Sequence, residues 1–537
     1  MDTNVPGKGP AVVDTDVLIV GYGPVGKVLA ILLARLGHGV TVVERWSEPY
    51  RMPRAVTYDD EAARILALTG VADSLDDVIE PTRDYTFRNA QGLTLMHLTV
   101  PERGWCGWPE STSMYQPGLE AALDAKAAEL PNLTVVRGHV VEELTDHGDH
   151  VELVAKGPGG ERFGATGRWA VGCDGANSFV RSRIEPGFTD FGFSPDWLIC
   201  DVVENEPREF TPNNLQICDP ARPRTSVSAG YGHRRWEFMR LPGEPVEEFG
   251  SIETVWRLLG LFGIDRSNAT LRRHAVYTVR ARCADRWRSG RLLLAGDAVH
   301  VMPPFLGQGM CSGFRDAVNL TWKLDLVLAG LADARVLDSY TTERGAHTRS
   351  VIEASVDIGK VICETDPAAA RGRDATMVKA FRAGRQQGQQ RRVYLKLADG
   401  LLHRDDAGAP AAAAGDLTPQ GMVARGPHTG RFDQVVGPGF ALIGSEHPDD
   451  LLDADSAGFL KAIGTRLVRV LPAGTPAAGG SEHDVVDLDS VYLPYLERTG
   501  AVAVLVRPDF YLFGAAAGPA ELTGLVADLR RQLTEPG

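Results

Sequence analysis

The sequence of 537 residues has too little positive charge for a protein whose main partner is nucleic acid. Lysine and arginine number 56 against 70 aspartates and glutamates, which gives a formal net charge of −14. Proteins that bind a phosphate backbone or an anionic membrane need a basic face. The composition therefore argues against nucleic acid and membrane partners, and it leaves room only for a local pocket that binds a small anion.

The chain also has few cysteines and no long apolar run. Its seven cysteines are scattered, and no two of them form a Cys-x-x-Cys pair. We therefore expect neither a disulfide framework nor a structural zinc site, and a reducing cytoplasm suits this composition best. No run reaches the roughly 18 apolar residues that span a membrane. Residues 1–15 lack a secretory pattern and are expected to form a flexible tail.

A glycine-rich turn follows the first apolar run of the sequence. Residues 16–20 have the composition of a buried parallel strand, and a helix is predicted at 27–36. Between them lies a G-x-G-x-x-G motif, formed by Gly21, Gly23 and Gly26. Such glycines allow a tight turn, the approach of a pyrophosphate and close packing of helix on strand. Glu44 ends the next predicted strand, where a carboxylate can bind ribose hydroxyls, so this βαβ unit predicts a dinucleotide site.

A second motif indicates which dinucleotide binds. Gly296-Asp297 ends the apolar run at 291–295, and an Asp at the carboxyl end of a parallel strand can hold a polyol hydroxyl. The following Gly307-Gln308-Gly309-Met310 brings backbone N–H groups close to a flat ring. A helix that begins near Met310 would stabilise negative charge on that ring. A reduced anionic flavin needs this stabilisation and a nicotinamide does not, so the motif favours a flavin.

The periodicity predicts an α/β fold in several units. Alternating runs predict an antiparallel sheet inserted into the nucleotide domain, at 196–203, 214–218, 225–229 and 236–241. An Ala/Gly/Pro-rich stretch at 405–418 favours a linker before a compact α/β unit. The expected division is a tail at 1–15, a nucleotide domain at 16–184 and 286–400, an inserted sheet domain at 185–285, a linker at 401–418 and a final domain at 419–537.

Three motifs occur in order along the chain: the glycine motif, Cys173-Asp174-Gly175, and Gly296-Asp297 followed by PPFLGQG. Together they resemble the fingerprints of the class A flavoprotein aromatic hydroxylases. Further segments are similar to the 3-(3-hydroxyphenyl)propionate hydroxylase branch, at 53–66, 217–225, 234–244 and 307–324. The segment VLVRPDFYLFG resembles the thioredoxin-like C-terminal domain of the phenol hydroxylase group. No cysteine follows Cys363, which excludes a dithiol redox role there and favours packing or dimerisation.

The resemblance implies an FAD-binding Rossmann-type (GR2-like) domain, an inserted antiparallel-sheet substrate domain and a thioredoxin-like C-terminal domain. It also implies FAD as the cofactor, with NADH or NADPH and O2 as co-substrates. Glu44 would bind the adenosine ribose, and Asp297 the ribityl chain. The other implied contacts are Arg45 near the adenine or the phosphates, Val140 near the adenine, Arg54, Gln116 and Asp174 elsewhere along FAD, and Pro304, Gly307, Gly309 and Met310 at the isoalloxazine ring.

The resemblance further implies a monooxygenase of aromatic catabolism. Reduced flavin and O2 would form a C4a-hydroperoxide that hydroxylates a phenol, such as 3-(3-hydroxyphenyl)propionate, ortho to its hydroxyl group. Arg222, or else Arg234 or Arg235, could bind a substrate carboxylate. Tyr231 and His233 are candidates for the base that deprotonates the phenol. The substrate is expected between the antiparallel sheet and the flavin, in contact with Gln216, Cys218, Arg222, Trp236, Phe238, Met302 and Pro303.

Two other functions fit the same motifs. One is a polyketide-type aromatic oxygenase or epoxidase, and the other is a non-catalytic FAD-binding sensor of aromatic compounds. A halogenase is disfavoured because the sequence has no Trp-x-Trp-x-Ile-Pro signature. The acidic run Asp59-Asp60-Glu61 has no histidine partner and suits the first turn of a helix, so no metal site is expected. The sequence leaves open the exact substrate, the choice between NADH and NADPH, and a homodimer.

Overall fold

The computed structural model describes residues 12–49, 54–384, 394–476 and 481–535. Most of the tail expected at 1–15 therefore lies outside the described residues, and 12–15 belong to the first strand. None of the described helices is long and apolar enough to cross a membrane. The α-helices are Pro24–Arg35, Asp60–Thr69, Gln116–Ala128, Phe179–Ile184, Val246–Phe249, Ile252–Leu259, Gln308–Leu328, Asp338–Ile362, Pro367–Arg382, Phe432–Val436, Pro448–Leu451, Ala454–Ala462, Tyr492–Thr499 and Pro519–Thr534.

The first sheet has eight strands and carries the glycine turn. Val17, Leu18 and Ile19 of its central strand are fully buried, as the apolar composition predicted. Helix Pro24–Arg35 crosses between two parallel neighbours, Val12–Val20 and Val40–Glu44, which confirms the βαβ unit. In spatial order the strands are Arg288–Ser289, Leu292–Leu294, Arg162–Gly172, Val12–Val20, Val40–Glu44 and Leu133–Arg137, with Val151–Lys156 and Val140–Asp146 as an antiparallel extension.

The second sheet has seven strands and contains most of the inserted segment. Its first five strands pair antiparallel; four of them lie at the predicted runs, and Ala269–Thr278 was not predicted. A hairpin at 84–99 adds two more strands, although the sequence placed that range in the nucleotide domain. It was missed because it pairs in parallel with a strand far along the chain, and alternation does not reveal such partners. The spatial order is Ala269–Thr278, Asp196–Glu204, Arg234–Met239, Arg224–Ser228, Asn214–Cys218, Asp84–Asn89 and Thr94–Thr99.

Two sheets of three strands each complete the N-terminal body. One contains Phe188–Asp190, Arg282–Ala284 and His300–Val301, and the other contains Thr57–Asp59, Ser111–Met114 and Ile79–Pro81. The second of them leads directly into helix Asp60–Thr69. Asp59 Oδ1 accepts a hydrogen bond from the Ala62 N–H at 2.8 Å, so the acidic run begins a helix, as predicted.

The last sheet forms the thioredoxin-like C-terminal domain. Two of its central strands, Ala441–Gly444 and Arg466–Leu471, are parallel. The strands Ala503–Val506 and Leu512–Ala516 follow antiparallel, and helix Pro519–Thr534 packs on them. The full spatial order is His428–Arg431, Met422–Arg425, Asp484–Asp487, Arg466–Leu471, Ala441–Gly444, Ala503–Val506 and Leu512–Ala516. This mixed sheet agrees with the fold class expected from the sequence.

Residues 401–418 are packed against the C-terminal sheet and do not form the free linker that was predicted. Leu402 is fully buried. The His403 N–H donates to Phe513 O at 2.9 Å, and the Leu512 N–H donates to Asp416 O at 2.8 Å. The Ala/Gly/Pro-rich composition has no periodic signal, but its small side chains let the backbone lie close to the sheet.

Buried ion pairs join the C-terminal domain to the rest of the chain. Arg64 donates to both carboxylate oxygens of Asp433, at 2.6 and 2.9 Å. Glu343 accepts from Arg507 at 2.6 Å and from Lys323 at 2.8 Å, and these three side chains have no exposed area. The boundary near residue 400 is therefore a packed interface.

Candidate active site

The three glycines of the turn have different surroundings. Gly21 has φ +98°, and a Cβ atom there would lie 2.5 Å from Cys173 O. A Cβ atom on Gly26 would overlap the Gly21 carbonyl oxygen. A Cβ atom on Gly23, by contrast, would meet nothing within 4 Å. Gly21 and Gly26 are thus required by the turn itself, whereas Gly23 keeps an open surface free of side-chain atoms.

That open surface lies at the N-terminus of helix Pro24–Arg35. Gly23 is the N-cap residue and offers no side-chain oxygen to the first turn, so the terminal N–H groups can bind an anion. Glu44 lies beside the turn, where its carboxylate accepts from the Tyr22 N–H at 2.6 Å and from the Trp46 N–H at 2.9 Å. These features fit the diphosphate and ribose of a dinucleotide.

The predicted adenine contacts lie at the edge of this turn. Arg45 is exposed, and its guanidinium carbon lies 5.4 Å from the centre of the Trp46 ring. Val140 is also exposed and follows His139, whose N–H donates to Glu44 O at 3.0 Å. The structure thus brings Arg45, Val140 and Glu44 to one edge of the first sheet.

Arg54, Gln116 and Asp297 meet although they are far apart in sequence. Arg54 NH1 donates to Asp297 Oδ2 at 2.8 Å. Gln116 Oε1 accepts from the N–H groups of Arg54 and Ala55, both at 2.8 Å. Gln116 Nε2 in turn donates to Glu120 at 2.8 Å. The buried glutamine therefore fixes the backbone that carries Arg54, and Arg54 and Asp297 remain partly exposed.

A buried network behind Asp297 was missed in the sequence. Asp316 Oδ2 accepts from the Gly296 N–H at 3.0 Å and lies 2.7 Å from His300 Nε2. Arg344 Nε donates to the other oxygen of Asp316 at 2.9 Å. Burial alone would raise the pKa of Asp316, but His300 and Arg344 hold it below its ordinary value. The sequence signal that could have revealed this network was Asp316 itself, a charged residue in the helix at 308–328.

The loop after the Gly-Asp motif ends where a long helix begins. Helix Gln308–Leu328 starts two residues before Met310, and its N-cap Gly307 has φ +65° and no side-chain cap. Gln308 Nε2 donates to Asp59 Oδ2 at 3.0 Å, and Arg315 donates to the same oxygen at 2.9 Å. The helix N-terminus is therefore held firmly, and Gly309 and Met310 are half-buried.

Asp174 has a local structural role. Its carboxylate accepts from the Ser178 hydroxyl, from the Phe179 N–H at 2.7 Å and from the Val180 N–H at 3.1 Å. It thereby caps the N-terminus of helix Phe179–Ile184. Burial raises the pKa of this carboxyl group.

The two faces of the second sheet separate the predicted substrate residues. Trp236 and Phe238 pack with Val255 and Leu258 of the covering helix, so their prediction as substrate contacts was wrong. Gln216 and Cys218 lie on the opposite face: Gln216 accepts from the Thr225 hydroxyl at 2.7 Å, and Cys218 shares an apolar cluster with neighbours of Phe305. The alternation of side chains along the strands predicted that the sheet has two faces, but it did not predict which face meets the loop after the Gly-Asp motif.

The predicted arginines are already paired. Arg222 donates to both oxygens of Glu244, at 2.7 and 2.5 Å, so it is not free to bind a substrate carboxylate. Arg234 donates to Asn213 O at 2.6 Å, and its guanidinium carbon lies 3.6 Å from the centre of the Phe210 ring. The prediction that Arg222 binds the substrate was therefore wrong.

The predicted bases lie at a hairpin turn. Tyr231 is 73% exposed, which does not suit a base that acts in a closed site. His233 stacks on Tyr115 with ring centroids 3.8 Å apart, and burial is the main cause that lowers its pKa. Both residues precede the strand Arg234–Met239.

The loop residues Met302, Pro303 and Pro304 bring Phe305 against the second sheet. The Phe305 ring centroid lies 5.6 Å from that of Trp197 and 5.9 Å from that of Phe193. A Cβ atom on Gly309 would lie 3.9 Å from Met302 Cγ. This arrangement places an apolar wall between the Gly-Asp loop and the sheet, in which Phe305 is half-buried and Trp197 is buried.

Comparison with known proteins agrees with this geometry. Residues 14–355 match the FAD binding domain family, and residues 415–532 match the HcaD C-terminal domain family. The chain is 37% identical over 527 residues to the probable NADH-specific resorcinol 4-hydroxylase of Rhodococcus jostii, covering 98% of this chain and 96% of the relative. It belongs to the class A FAD-dependent aromatic hydroxylases. This membership confirms the predicted family, the monooxygenase class and FAD as the cofactor.

Other relatives of this aromatic hydroxylase agree. A 3-(3-hydroxy-phenyl)propionate/3-hydroxycinnamic acid hydroxylase of Klebsiella pneumoniae is 32% identical over 555 residues, covering 99% of this chain and 98% of the relative. Aklavinone-11 hydroxylase, solved with FAD and aklavinone, has a TM-score of 0.76 at 25% identity, with 98% and 99% of the chains covered. The flavin-dependent monooxygenase PieE shares the fold, with a TM-score of 0.80 at 21% identity. That comparison covers 98% of this chain and 100% of the PieE chain.

Proposed function

We propose that this aromatic hydroxylase uses NADH and O2 to hydroxylate a small phenol at a carbon next to a ring hydroxyl. The observation that carries the proposal is the meeting of Arg54 and Asp297 beside the uncapped helix Gln308–Leu328, with Phe305 and Trp197 as an apolar wall. The relatives named above, which are resorcinol and hydroxyphenylpropionate hydroxylases, support the same chemistry. Bound FAD supplies hydride acceptance from NADH and the activation of O2.

The chain's own residues hold the cofactor and exclude water. We assign Gly23 and the first turn of helix Pro24–Arg35 to the diphosphate, and Glu44 to the adenosine ribose. Asp297 would accept from ribityl hydroxyls, while Arg54 holds its carboxylate in position. The N-terminus of helix Gln308–Leu328 would stabilise negative charge on the flavin ring. Phe305 and Trp197 exclude water from the substrate side, which protects the hydroxylation from leakage to hydrogen peroxide.

Steady-state NADH oxidation tests this function. We expect resorcinol or a similar phenol to accelerate NADH oxidation by the FAD-loaded enzyme, with hydroxylated product formed in step. A ring of the same size without a hydroxyl group serves as the control and should not accelerate it. If no phenol in a panel of resorcinols, hydroxyphenylpropionates and polycyclic phenols increased the rate, the proposal would be refuted. A response confined to polycyclic phenols would support the polyketide-type alternative instead.

Removal of the Asp297 carboxylate should weaken FAD binding. We expect Asp297→Ala to raise the Kd for FAD by about tenfold, because the variant loses hydrogen bonds to the ribityl chain and leaves Arg54 without its partner. Flavin fluorescence titration of the apoprotein measures the change. Asp338→Ala is a matched control, since Asp338 is also a partly exposed partner of an arginine, Arg288, at 2.8 Å. Unchanged FAD affinity of Asp297→Ala would contradict the assignment.

A further inference from the structure

Glu237 lies on the face of the second sheet that meets the Gly-Asp loop. It belongs to strand Arg234–Met239, which lies between two other strands in the interior of the sheet. Its neighbours at alternate positions point to the same side. Arg235 NH1 donates to Arg54 O at 2.6 Å, and Met239 packs in the cluster that contains Trp197 and Phe305. The Glu237 side chain therefore lies between Arg54 and the apolar wall.

The Glu237 side chain is mostly buried, with 12% of its area exposed, and no residue that the structure describes donates a hydrogen bond to its carboxylate. The residue is 9% exposed, and its nearest cationic atom, Arg235 NH1, lies 4.0 Å from Oε1. Arg235 donates at 2.6 Å to Asp201 instead. The Glu237 oxygens are not among the enclosed side-chain atoms that lack a partner, so a ligand or water can reach them. A mostly buried acceptor needs such a partner. Burial raises the pKa of Glu237, and Arg235 opposes that change.

The charges on this face are balanced. Arg235 and Arg273 both pair with Asp201, at 2.6 and 2.7 Å, and Glu237 supplies the second negative charge. Among the described residues of this face, two cations thus face two carboxylates, and the more distant Arg222 is held by Glu244. A substrate that brought its own carboxylate would add an uncompensated charge in a poorly solvated site. A neutral phenol would instead bring the O–H donor that Glu237 lacks.

We propose that Glu237 accepts a hydrogen bond from a ring hydroxyl of the substrate and thereby selects neutral phenols of the resorcinol type over phenolic acids. The inference rests on the proposed function, because it names the substrate class of the same site. The hydrogen bond fixes the orientation of the ring against Phe305 and Trp197. A charge-assisted hydrogen bond of this kind also increases the electron density of the phenol oxygen, which favours attack at the adjacent carbon.

The test compares two substrates in the FAD-loaded wild type and in Glu237→Gln. We expect the wild type to have a higher kcat/KM for resorcinol than for 3-(3-hydroxyphenyl)propionate. Glu237→Gln should lower the ratio of the two values by about thirtyfold, because it weakens resorcinol binding and removes the negative charge that repels the acid. Glu237→Asp, which keeps the charge, should retain the preference for resorcinol. Glu248→Gln, an exposed change on a covering helix, is the matched control and should leave the ratio unchanged.

Binding separates this inference from the proposed function. Titration of each phenol against the flavin absorbance of the holoenzyme measures Kd without turnover. If the wild type binds resorcinol but hydroxylates no phenol, and Glu237→Gln weakens that binding, the proposed function fails and the inference stands. The inference is overturned if Glu237→Gln lowers kcat/KM equally for both substrates, or if the wild type has the higher kcat/KM for the acid. It is also overturned if the Kd for resorcinol is the same in the wild type and in Glu237→Gln. FAD content and the unfolding temperature of each variant show whether the fold is retained.

Discussion

Gly23→Val should fold like the wild type but bind FAD at least about a hundredfold more weakly, a loss of about 2.7 kcal/mol. A Cβ atom at this position meets no protein atom within 4 Å, and Gly23 has φ −75°, which any residue adopts. The added methyl groups would instead occupy the surface at the N-terminus of helix Pro24–Arg35. They would keep the pyrophosphate away from the N–H groups that bind it. Isothermal titration of the apoprotein with FAD measures the loss.

Two measurements make the Gly23 prediction specific. The circular dichroism spectrum and the unfolding temperature of the apoprotein should be close to those of the wild type. Gly26→Ala is the contrasting variant, because its Cβ would overlap the Gly21 carbonyl oxygen and should destabilise the turn itself. Wild-type FAD affinity in Gly23→Val would show that the dinucleotide does not bind at this turn.

Arg507→Met should destabilise the protein by about 3–5 kcal/mol, the usual cost of leaving a buried charge without its partner. Arg507 contacts Glu343 and Asp509 at 2.6 Å each, and all three side chains are buried. In the variant, Lys323, which contacts Glu343 at 2.8 Å, would be the cation that remains among the described partners of the two carboxylates. Urea unfolding followed by tryptophan fluorescence measures the change, and Trp322 lies 5.1 Å from the Arg507 guanidinium carbon.

The pH dependence of this effect has a definite sign. Burial by itself would raise the pKa of Glu343, but Arg507 and Lys323 lower it below the ordinary value of 4.5. The stability that this lowering contributes is present above pH 4.5 and is lost as the pH falls through the folded-state value. The difference in stability between the wild type and Arg507→Met should therefore shrink on acidification.

Arg530→Met, which breaks the exposed pair with Asp455, should change stability by less than about 1 kcal/mol. An equal loss of stability in Arg507→Met and Arg530→Met would show that the buried ion pairs of Arg507 do not stabilise the interface.

The parts of the site that depend on local backbone geometry were predictable from the sequence. Gly21 and Gly26 are required by a turn between a strand and a helix that follow each other directly. Asp297 follows a short buried strand, and its partner Arg54 lies in a segment that the family resemblance identified. In each case the motif consists of a few consecutive residues, so it can be recognised in the sequence without knowledge of tertiary contacts.

The substrate side could not be predicted in the same way, because it depends on which face of a sheet meets a distant loop. Trp236 and Phe238 have the aromatic character of a ring-binding site, yet they pack under the covering helix. Glu237, between them in sequence, points to the other face. Arg222 also had suitable chemistry, but its pairing with Glu244 depends on a turn geometry that the sequence does not reveal. A shift of one residue along a strand exchanges the two faces, and only the structure resolves it.

The source of the oxygen atom in the product shows whether the enzyme is a monooxygenase. The FAD-loaded enzyme is incubated with NADH, resorcinol and ¹⁸O₂ in ordinary water, and the product is analysed by mass spectrometry. A flavin-dependent monooxygenase should give a trihydroxybenzene that contains one ¹⁸O atom, with about one NADH oxidised for each product molecule. The monooxygenase activity would be contradicted if the new oxygen came from water. It would also be contradicted if NADH were consumed with hydrogen peroxide as the sole product for every phenol tested.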